Sequence, residues 1–281
     1  MLLKKLIRDK SGVTNIISTL LITSIMITSV SLTYVYIIPT IDRGRMNATI
    51  STSALFLSKM DAAIQSMFFD GVGAARSLEV DAFAGDLLFR SLGINFRAFI
   101  NGSMYLPIPG LDYGIAQIEI PSDIAILQRN TVRYLKGSQY YPPAVANLGE
   151  IDPAVITVER PEADVYYLNL FYRMFVLVKD FGVGNEIEVN AILMRFSAAE
   201  SLRGLNSGTY FLTINKTSTE LNPALHGFVG NNPNVASGDD FYITLNPGTG
   251  PVLIFDSSGY RSRVSINLVL MTFGFESVKL D

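Results

Sequence analysis

Few residues of this sequence have the types and spacing that catalysis or metal binding requires. The chain contains no cysteine and one histidine, His226, which lies in a polar stretch containing glycine and proline. A histidine-based metal site needs further ligands, and a Ser-His triad needs defined partners. Because the sequence offers neither, we expect His226 to be an exposed loop residue. The sequence therefore predicts no enzymatic activity, no bound metal and no cofactor.

Two acidic pairs carry the oxygen ligands that a hard cation such as calcium prefers. They are Asp239 with Asp240, and Glu79 with Asp81 on one face of a predicted strand. Exposed acidic pairs are usually only solvated, so we interpret both as surface charge. The segment Gly71-Val72-Gly73-Ala74-Ala75-Arg76 begins like a dinucleotide-binding loop. It follows a helical pattern, however, and arginine stands in place of the third glycine, so we exclude that function.

Three triplets match the acceptor sequence for N-glycosylation, Asn-X-Ser/Thr. They begin at Asn47, Asn101 and Asn215. Such triplets also arise by chance, so each remains a candidate. A glycan on Asn47 would lie just outside the membrane segment described next. There it would shield the outside of the helix, or obstruct packing if that surface is buried.

The element that must position everything else is an apolar run near the N-terminus, preceded by a charged leader. No charged side chain occurs between Lys10 and Asp42. As a helix rising about 1.5 Å per residue, residues 16–38 would span about 34 Å, enough to cross a hydrocarbon core of about 30 Å. The leader's basic residues predict a cytoplasmic N-terminus and an external position for everything after Asp42. They are Lys4, Lys5, Arg8 and Lys10.

No stretch of small residues suited to ordinary signal cleavage follows the apolar run. Instead, basic residues, then Gly12, then Val13-Thr14-Asn15-Ile16-Ile17-Ser18-Thr19-Leu20-Leu21 resemble the class III (prepilin-type) signal of archaeal type IV pilin-like proteins. The resemblance implies that a prepilin-type peptidase cuts between Gly12 and Val13 on the cytoplasmic side. It also implies that the helix stays on the protein and packs with other pilin subunits. An uncleaved signal anchor is the alternative, because hydropathy alone does not separate the two.

The apolar run continues into a second, amphipathic helical pattern. Hydroxyl residues throughout the run favour a helix that packs against copies of itself. We expect Pro39 to bend or interrupt the helix near its outer end. Beyond it, apolar residues recur at helical spacing through residues 41–69, with charged or polar residues such as Lys59, Asp61 and Gln65 between them. The sequence Gly71-Val72-Gly73 is expected to end this helix.

The pattern after Gly73 is one of short strands separated by glycine, proline and asparagine clusters. We predict a hairpin from strands at 76–83 and 87–89, then strands at 105–109 and 114–121, and irregular structure over 128–161. Two longer strands, 165–178 and 186–196, are expected to form an antiparallel hairpin. Further strands are predicted at 209–215, 241–245, 252–255 and 263–275. Many short strands at close spacing predict a mostly antiparallel, sandwich-like domain.

These patterns predict an α+β protein with three parts. Residues 1–12 form a charged leader, residues 13–70 a helical stem, and residues 71–281 a β-rich head. The leader contains four of the 22 basic and one of the 25 acidic residues, so its net charge is +3 and that of the remainder is −6. A mildly acidic exterior argues against a nucleic-acid partner. A domain of about 200 residues buries an adequate core without disulfides.

The resemblance and the composition together favour a non-enzymatic, pilin-like structural subunit of a surface filament. It would be a minor or adhesive subunit that assembles through its N-terminal helix after leader cleavage. Its expected partners are the membrane, the prepilin-type peptidase and other pilin subunits. One alternative is a single-pass, membrane-anchored exported binding or envelope protein. Another is a tethered extracellular hydrolase that uses carboxylates alone.

Overall fold

The protein has an α+β architecture, in which one long apolar helix is followed by two mostly antiparallel β-sheets, as predicted. The computed structural model describes residues 10–81, 85–100, 103–137, 144–146, 153–162, 164–180, 186–198, 209–221, 241–246, 252–256 and 263–279. The chain divides into two compact units. One comprises Met1–Ala48 with Ile124–Ile126, and the other comprises Thr49–Asp123 with Leu127–Asp281.

The helix begins at Lys10 and ends at Ser66, with one change in its hydrogen bonding. Helix α1 (Lys10–Leu32) leads into a π-helical turn (Thr33–Ile37), which leads into helix α2 (Ile38–Ser66). Pro39 was expected to bend or interrupt the helix, and the structure shows no interruption there. In the π turn the backbone N–H of Ile38 donates to the carbonyl of Thr33, five residues earlier. This shift in hydrogen bonding immediately precedes Pro39, which has no N–H to donate, and the helix continues through it.

The last part of α2 and the turn after it bury an apolar face within the second unit. The buried residues recur every three or four positions, as helical geometry requires. They are Phe56, Leu57, Met60, Ala63, Ile64, Met67 and Phe68. The ring of Phe68 meets that of Phe175 edge-on, with centroids 5.9 Å apart. The predicted amphipathic helix is therefore part of the core of the head.

Within the described residues, thirteen strands form two sheets. In chain order they are β1 (Ala75–Asp81), β2 (Asp86–Ile100), β3 (Ser103–Pro121), β4 (Thr131–Lys136), β5 (Ala144–Ala146), β6 (Ala154–Arg160), β7 (Val165–Tyr172), β8 (Met174–Asp180), β9 (Glu186–Ala198), β10 (Thr209–Leu221), β11 (Phe241–Asn246), β12 (Val252–Asp256) and β13 (Arg263–Lys279). The six-stranded sheet has the order β1-β10-β13-β9-β8-β5, and the seven-stranded sheet the order β12-β11-β2-β3-β7-β6-β4. Two of the described pairs, β13 with β9 and β5 with β8, are parallel.

Aromatic side chains join the two sheets. Phe89 of the seven-stranded sheet stacks on Phe275 of the six-stranded sheet, with ring centroids 4.2 Å apart. Phe196 meets Phe275 and Tyr172 edge-on, at centroid distances of 5.3 Å and 6.0 Å. At Gly114 the backbones themselves approach, because a Cβ there would lie 2.3 Å from the backbone nitrogen of Phe196. Both sheets thus share one core.

One predicted hairpin is wrong, and the other is confirmed only in part. Strands β1 and β2 do not pair: β1 pairs with β10 in one sheet, and β2 pairs with β3 and β11 in the other. The predicted strand 165–178 is two strands, β7 and β8, which belong to different sheets. Only the second part of the other predicted hairpin holds, because β8 pairs with β9. The chain changes sheet at Arg173, with no glycine or proline to mark the corner.

Two further predictions are corrected. Residues 128–161 were expected to be irregular, but they contain β4, β5 and β6; the Tyr-Tyr-Pro-Pro segment 140–143 lies outside the described residues. The strands expected at 105–109 and 114–121 are one strand, β3. Pro107 and Pro109 are tolerated because β7 pairs only with 115–121 of β3, so this strand has a single paired neighbour near its prolines. The strands predicted at 209–215, 241–245, 252–255 and 263–275 are confirmed by β10 to β13.

We expect Gly114→Ala to lower the free energy of unfolding by about 1–3 kcal/mol, because its Cβ would clash with the backbone of the facing strand. The matched control is Gly71→Ala, where a Cβ would meet no atom within 4 Å. That change should alter the free energy by no more than about 0.5 kcal/mol. Chemical denaturation of both full-length variants in detergent measures the difference. Equal stabilities would contradict the close approach of the two sheets.

Candidate functional site

The most distinctive surface in the described part of the chain is the outside of the N-terminal helix. Its large apolar side chains between Ile16 and Ile41 are 38–66% exposed. By length and composition this helix is a candidate membrane span, and none of its most apolar 18-residue window is buried. Such a surface is stable only against lipid or against other apolar helices. This helix is therefore a candidate for contact with lipid or with other apolar helices.

Threonine hydroxyls on this helix are satisfied by the helix itself. Each donates to a backbone carbonyl three or four residues earlier, at 2.6–2.9 Å. The residues are Thr19, Thr23, Thr28, Thr33 and Thr40. An unsatisfied hydroxyl is costly in hydrocarbon, and these bonds remove that cost. The polar residues of the helix are thus compatible with an apolar environment.

A buried carboxylate fixes the end of the helix to the seven-stranded sheet. Asp61, on α2, is only 2% exposed. Its Oδ1 accepts hydrogen bonds from the hydroxyl of Tyr172, at 2.6 Å, and from Nε2 of Gln65, at 2.9 Å. Its Oδ2 forms a salt bridge with the ammonium group of Lys136 on β4. Because Lys136 and Tyr172 lie on strands of one sheet, this cluster sets the position of the helix on that sheet.

A second buried charge closes the C-terminal end of the same helix against the other sheet. Lys216 on β10 is 4% exposed, and its ammonium group donates to the carbonyls of Phe68, at 3.0 Å, and Asp70, at 2.7 Å. A cation at this end donates hydrogen bonds to free carbonyls and interacts favourably with the negative end of the helix dipole. Burial lowers the pKa of Lys216 below its ordinary value, while the nearby charge of Asp70 acts in the opposite direction.

Neither charged group was assigned to the core by the sequence analysis. Asp61 was counted among the charged or polar residues between the apolar positions, yet the structure buries it. The available signal was its spacing, since Asp61 lies four residues after Leu57 and three before Ile64, which are both fully buried. Helical residues at these spacings share one face. Lys216 lies between Asn215 and Thr217 of a glycosylation triplet, and nothing in that pattern indicated burial.

The candidate processing residues are only partly described. Gly12 and Val13 lie in the backbone of α1, and Lys10 is its first residue. Lys4, Lys5 and Arg8 lie outside the described residues.

The three glycosylation triplets lie in different settings. Asn47 is exposed on α2, and Asn215 is half-buried on β10, whereas Asn101 lies outside the described residues. The two described asparagines are therefore the ones whose surroundings can be compared.

The residues considered for catalysis or metal binding do not form a site in the described part of the chain. Glu79 is exposed on the edge strand β1, and the backbone of Asp81 ends that strand. His226, Asp239 and Asp240 lie outside the described residues. Among the residues that are described, no group of three or more histidine, cysteine, aspartate or glutamate side chains could hold a metal ion.

The glycines that suggested a dinucleotide loop lie in a turn between a helix and a strand. Residues 67–74 connect α2 to β1, and Gly73 in this segment adopts a left-handed conformation with φ of 93°. A dinucleotide loop would instead connect a strand to the N-terminus of a helix. The turn positions the first strand of the head.

Comparison of the chain with family models, curated proteins and solved structures finds no match.

We expect Asp61→Asn to lower the free energy of unfolding by about 1–3 kcal/mol, because it removes the buried carboxylate charge that forms the salt bridge with Lys136. The control is Arg76→Gln, which removes the 2.9 Å ion pair between Arg76 and Asp70. The side chains of this pair are 43% and 41% exposed. Exposed pairs contribute about 0–1 kcal/mol. Denaturant unfolding of the full-length variants compares them. A smaller loss for Asp61→Asn than for the control would contradict the anchoring role.

The lowered pKa of Lys216 predicts a pH dependence of stability with a definite sign. Between its pKa in the folded protein and the ordinary value of 10.5, the unfolded chain binds more protons than the folded one. Stability contributed by this group therefore rises with pH in that window. As pH rises toward 10.5, the unfolding free energy of the unsubstituted protein should therefore increase relative to that of Lys216→Met. A constant difference would contradict the shifted pKa.

Proposed function

We propose that this protein is a pilin-like structural subunit of a surface filament. In this proposal a prepilin-type peptidase removes the leader after Gly12, and the helix then assembles with the helices of other subunits. The observation that carries the proposal is one continuous helix with two different surroundings. Its first part exposes a long apolar surface, while its last part is built into the core of the β-rich head.

The exposed apolar surface supports a helix that moves from the bilayer into contact with the helices of other subunits. Each fully buried Leu or Ile side chain contributes about 1.5–3 kcal/mol relative to water. A helix with many such side chains is therefore held either in the bilayer or among other helices. The charged leader keeps the N-terminus in the cytoplasm, and its removal would free the helix to leave the bilayer. The head would then lie on the outer side of the membrane or on the filament.

The attachment of the helix to the head favours a filament subunit over an anchored binding protein. A protein that needs only a tether can connect its anchor to its domain by a flexible linker. Here residues 49–66 of the helix are packed in the head, with Asp61 bound to one sheet and Lys216 of the other sheet capping the segment just after the helix. The end of the helix is therefore part of the folded head rather than a separate linker. That property suits a subunit whose helix is held by its neighbours.

The head supports a minor or adhesive role in this proposal. The head contains a six-stranded and a seven-stranded sheet, and it is mildly acidic. Strands and loops on such a domain offer surface for contacts outside the filament. The second candidate function is a permanently anchored exported binding or envelope protein, which the same apolar helix also fits.

The test is the N-terminal sequence of protein recovered from the native membrane and from sheared surface material. We expect mature chains to begin at Val13 and to occur in the sheared fraction. Gly12→Leu should abolish both results, because a bulky residue replaces the small one at the cleavage position. Ser11→Ala, which keeps a small residue beside it, is the control. Chains that retain the leader and remain in the membrane would overturn the proposal and leave the anchored protein.

A further inference from the structure

We propose that Asn215 carries an N-linked glycan on the outer face of the six-stranded sheet. The inference rests on one part of the proposed function, the external position of the head, and not on filament assembly. Asn215-Lys216-Thr217 is one of three acceptor triplets in the sequence, and the structure distinguishes it from the others.

The position of Asn215 in the sheet directs its side chain outward. Strand β10 alternates: Leu212, Ile214 and Lys216 are buried, whereas Phe211 and Thr217 are exposed. Asn215 lies on the second, outward face and is half-buried. The strand is internal, because β1 and β13 pair with it on either side. Its backbone groups are thus used by the sheet, and the outward side chains are what a modifying enzyme reaches.

The neighbours of Asn215 across the sheet are small. The register places it opposite Ala75 on β1 and Gly274 on β13, and Gly274 in turn lies opposite Ser197 on β9. Residues directly opposite one another have Cβ atoms about 4.5–5.5 Å apart, so large side chains at these positions would crowd the amide. The row from Ala75 to Ser197 contains none. The residues directly opposite Asn215 therefore have no large side chain that would cover its amide.

The hydroxyl residue of the triplet faces the same side as the asparagine. Strand β10 is irregular between Lys216 and Ser218, so Thr217 has no residue paired opposite it on β13. Its methyl group would lie 2.9 Å from a Cβ on Gly274, the residue opposite Asn215, which places Thr217 on the same exposed face. Its hydroxyl donates to the carbonyl of Thr272, at 3.1 Å. Asn47 and Thr49 differ, because both lie in α2, where residues two apart do not face each other. Of the two described triplets, the one on β10 presents both recognition groups together.

The modification is a group transfer from a lipid-phosphate-linked glycan. A bond forms between Nδ2 of Asn215 and the anomeric carbon of the first sugar. The bond from that carbon to the phosphate oxygen breaks, the phosphate leaves with the bonding electrons, and the amide nitrogen loses one proton. No oxidant or reductant takes part.

The glycan would cover an outward face that carries exposed apolar side chains. Phe211, on the same strand, is 39% exposed, and Val278 opposite it on β13 is 62% exposed. A hydrophilic chain attached at Asn215 would screen this surface from other proteins. We therefore expect the unmodified protein to self-associate more readily through this face.

The experiment is peptide mass spectrometry of the full-length protein recovered from its native membrane. A glycan mass on the peptide containing Asn215 is expected. Asn215→Gln and Thr217→Val should each remove it, because one lacks the acceptor nitrogen and the other the hydroxyl. Thr217→Ser should retain it, which shows that loss in Thr217→Val comes from the hydroxyl rather than from misfolding. Asn47→Gln, the matched control, should leave the modification unchanged.

External protease added to intact cells separates the two possible failures. If the head is digested and the Asn215 peptide has its unmodified mass, the glycan proposal is overturned while the external head stands. If the head is protected from protease and the peptide is unmodified, both the glycan proposal and the proposed membrane orientation are overturned. Modification confined to Asn47 would also overturn the inference. The N-terminal residue, measured on the same sample, reports on leader cleavage independently.

Discussion

The buried carboxylate of Asp61 is the interaction on which the arrangement of helix and head depends. A carboxylate at 2% exposure is stable only when its oxygens are paired, and Lys136, Tyr172 and Gln65 supply those pairs. An apolar face alone allows a helix to slide by a turn, since Leu, Met and Ile contacts are similar at each step. A charge with fixed partners allows one position only. Lys216 does the same just after the helix end. The negative charge of Asp61 on the helix binds the seven-stranded sheet, and the positive charge of Lys216 on the six-stranded sheet binds the carbonyls of Phe68 and Asp70.

The two parts of the helix would serve different roles in the function that we propose. The exposed apolar part of the helix has no preferred orientation in lipid, because hydrophobic contact is non-directional. Direction comes instead from the part that is built into the head. Asp61 and Lys216 therefore define how residues 49–66 of the helix lie within the head.

The helical pattern and the strand-rich composition of the head could be predicted from the sequence, because both depend on local periodicity. Strand partners could not. β1 and β10 are separated by more than one hundred residues, and no local signal links Leu78 with Leu212. The corner at Arg173 was missed because both β7 and β8 face the same core, so the alternation of buried residues suggested one strand. The burial of Asp61 was not predicted, because its charge was given more weight than its helical spacing from buried apolar residues.

The threonine hydroxyls of the helix have one more consequence. Because the hydroxyls of Thr19, Thr23, Thr28 and Thr33 donate to the helix's own carbonyls, the groups that remain outward at these positions are methyls. Bilayer and neighbouring helix then resemble two solvents of similar polarity for this surface. If the helix moves from bilayer to filament as we propose, these residues neither break nor make a hydrogen bond on the way. Their polarity then adds no barrier to that transfer in either direction.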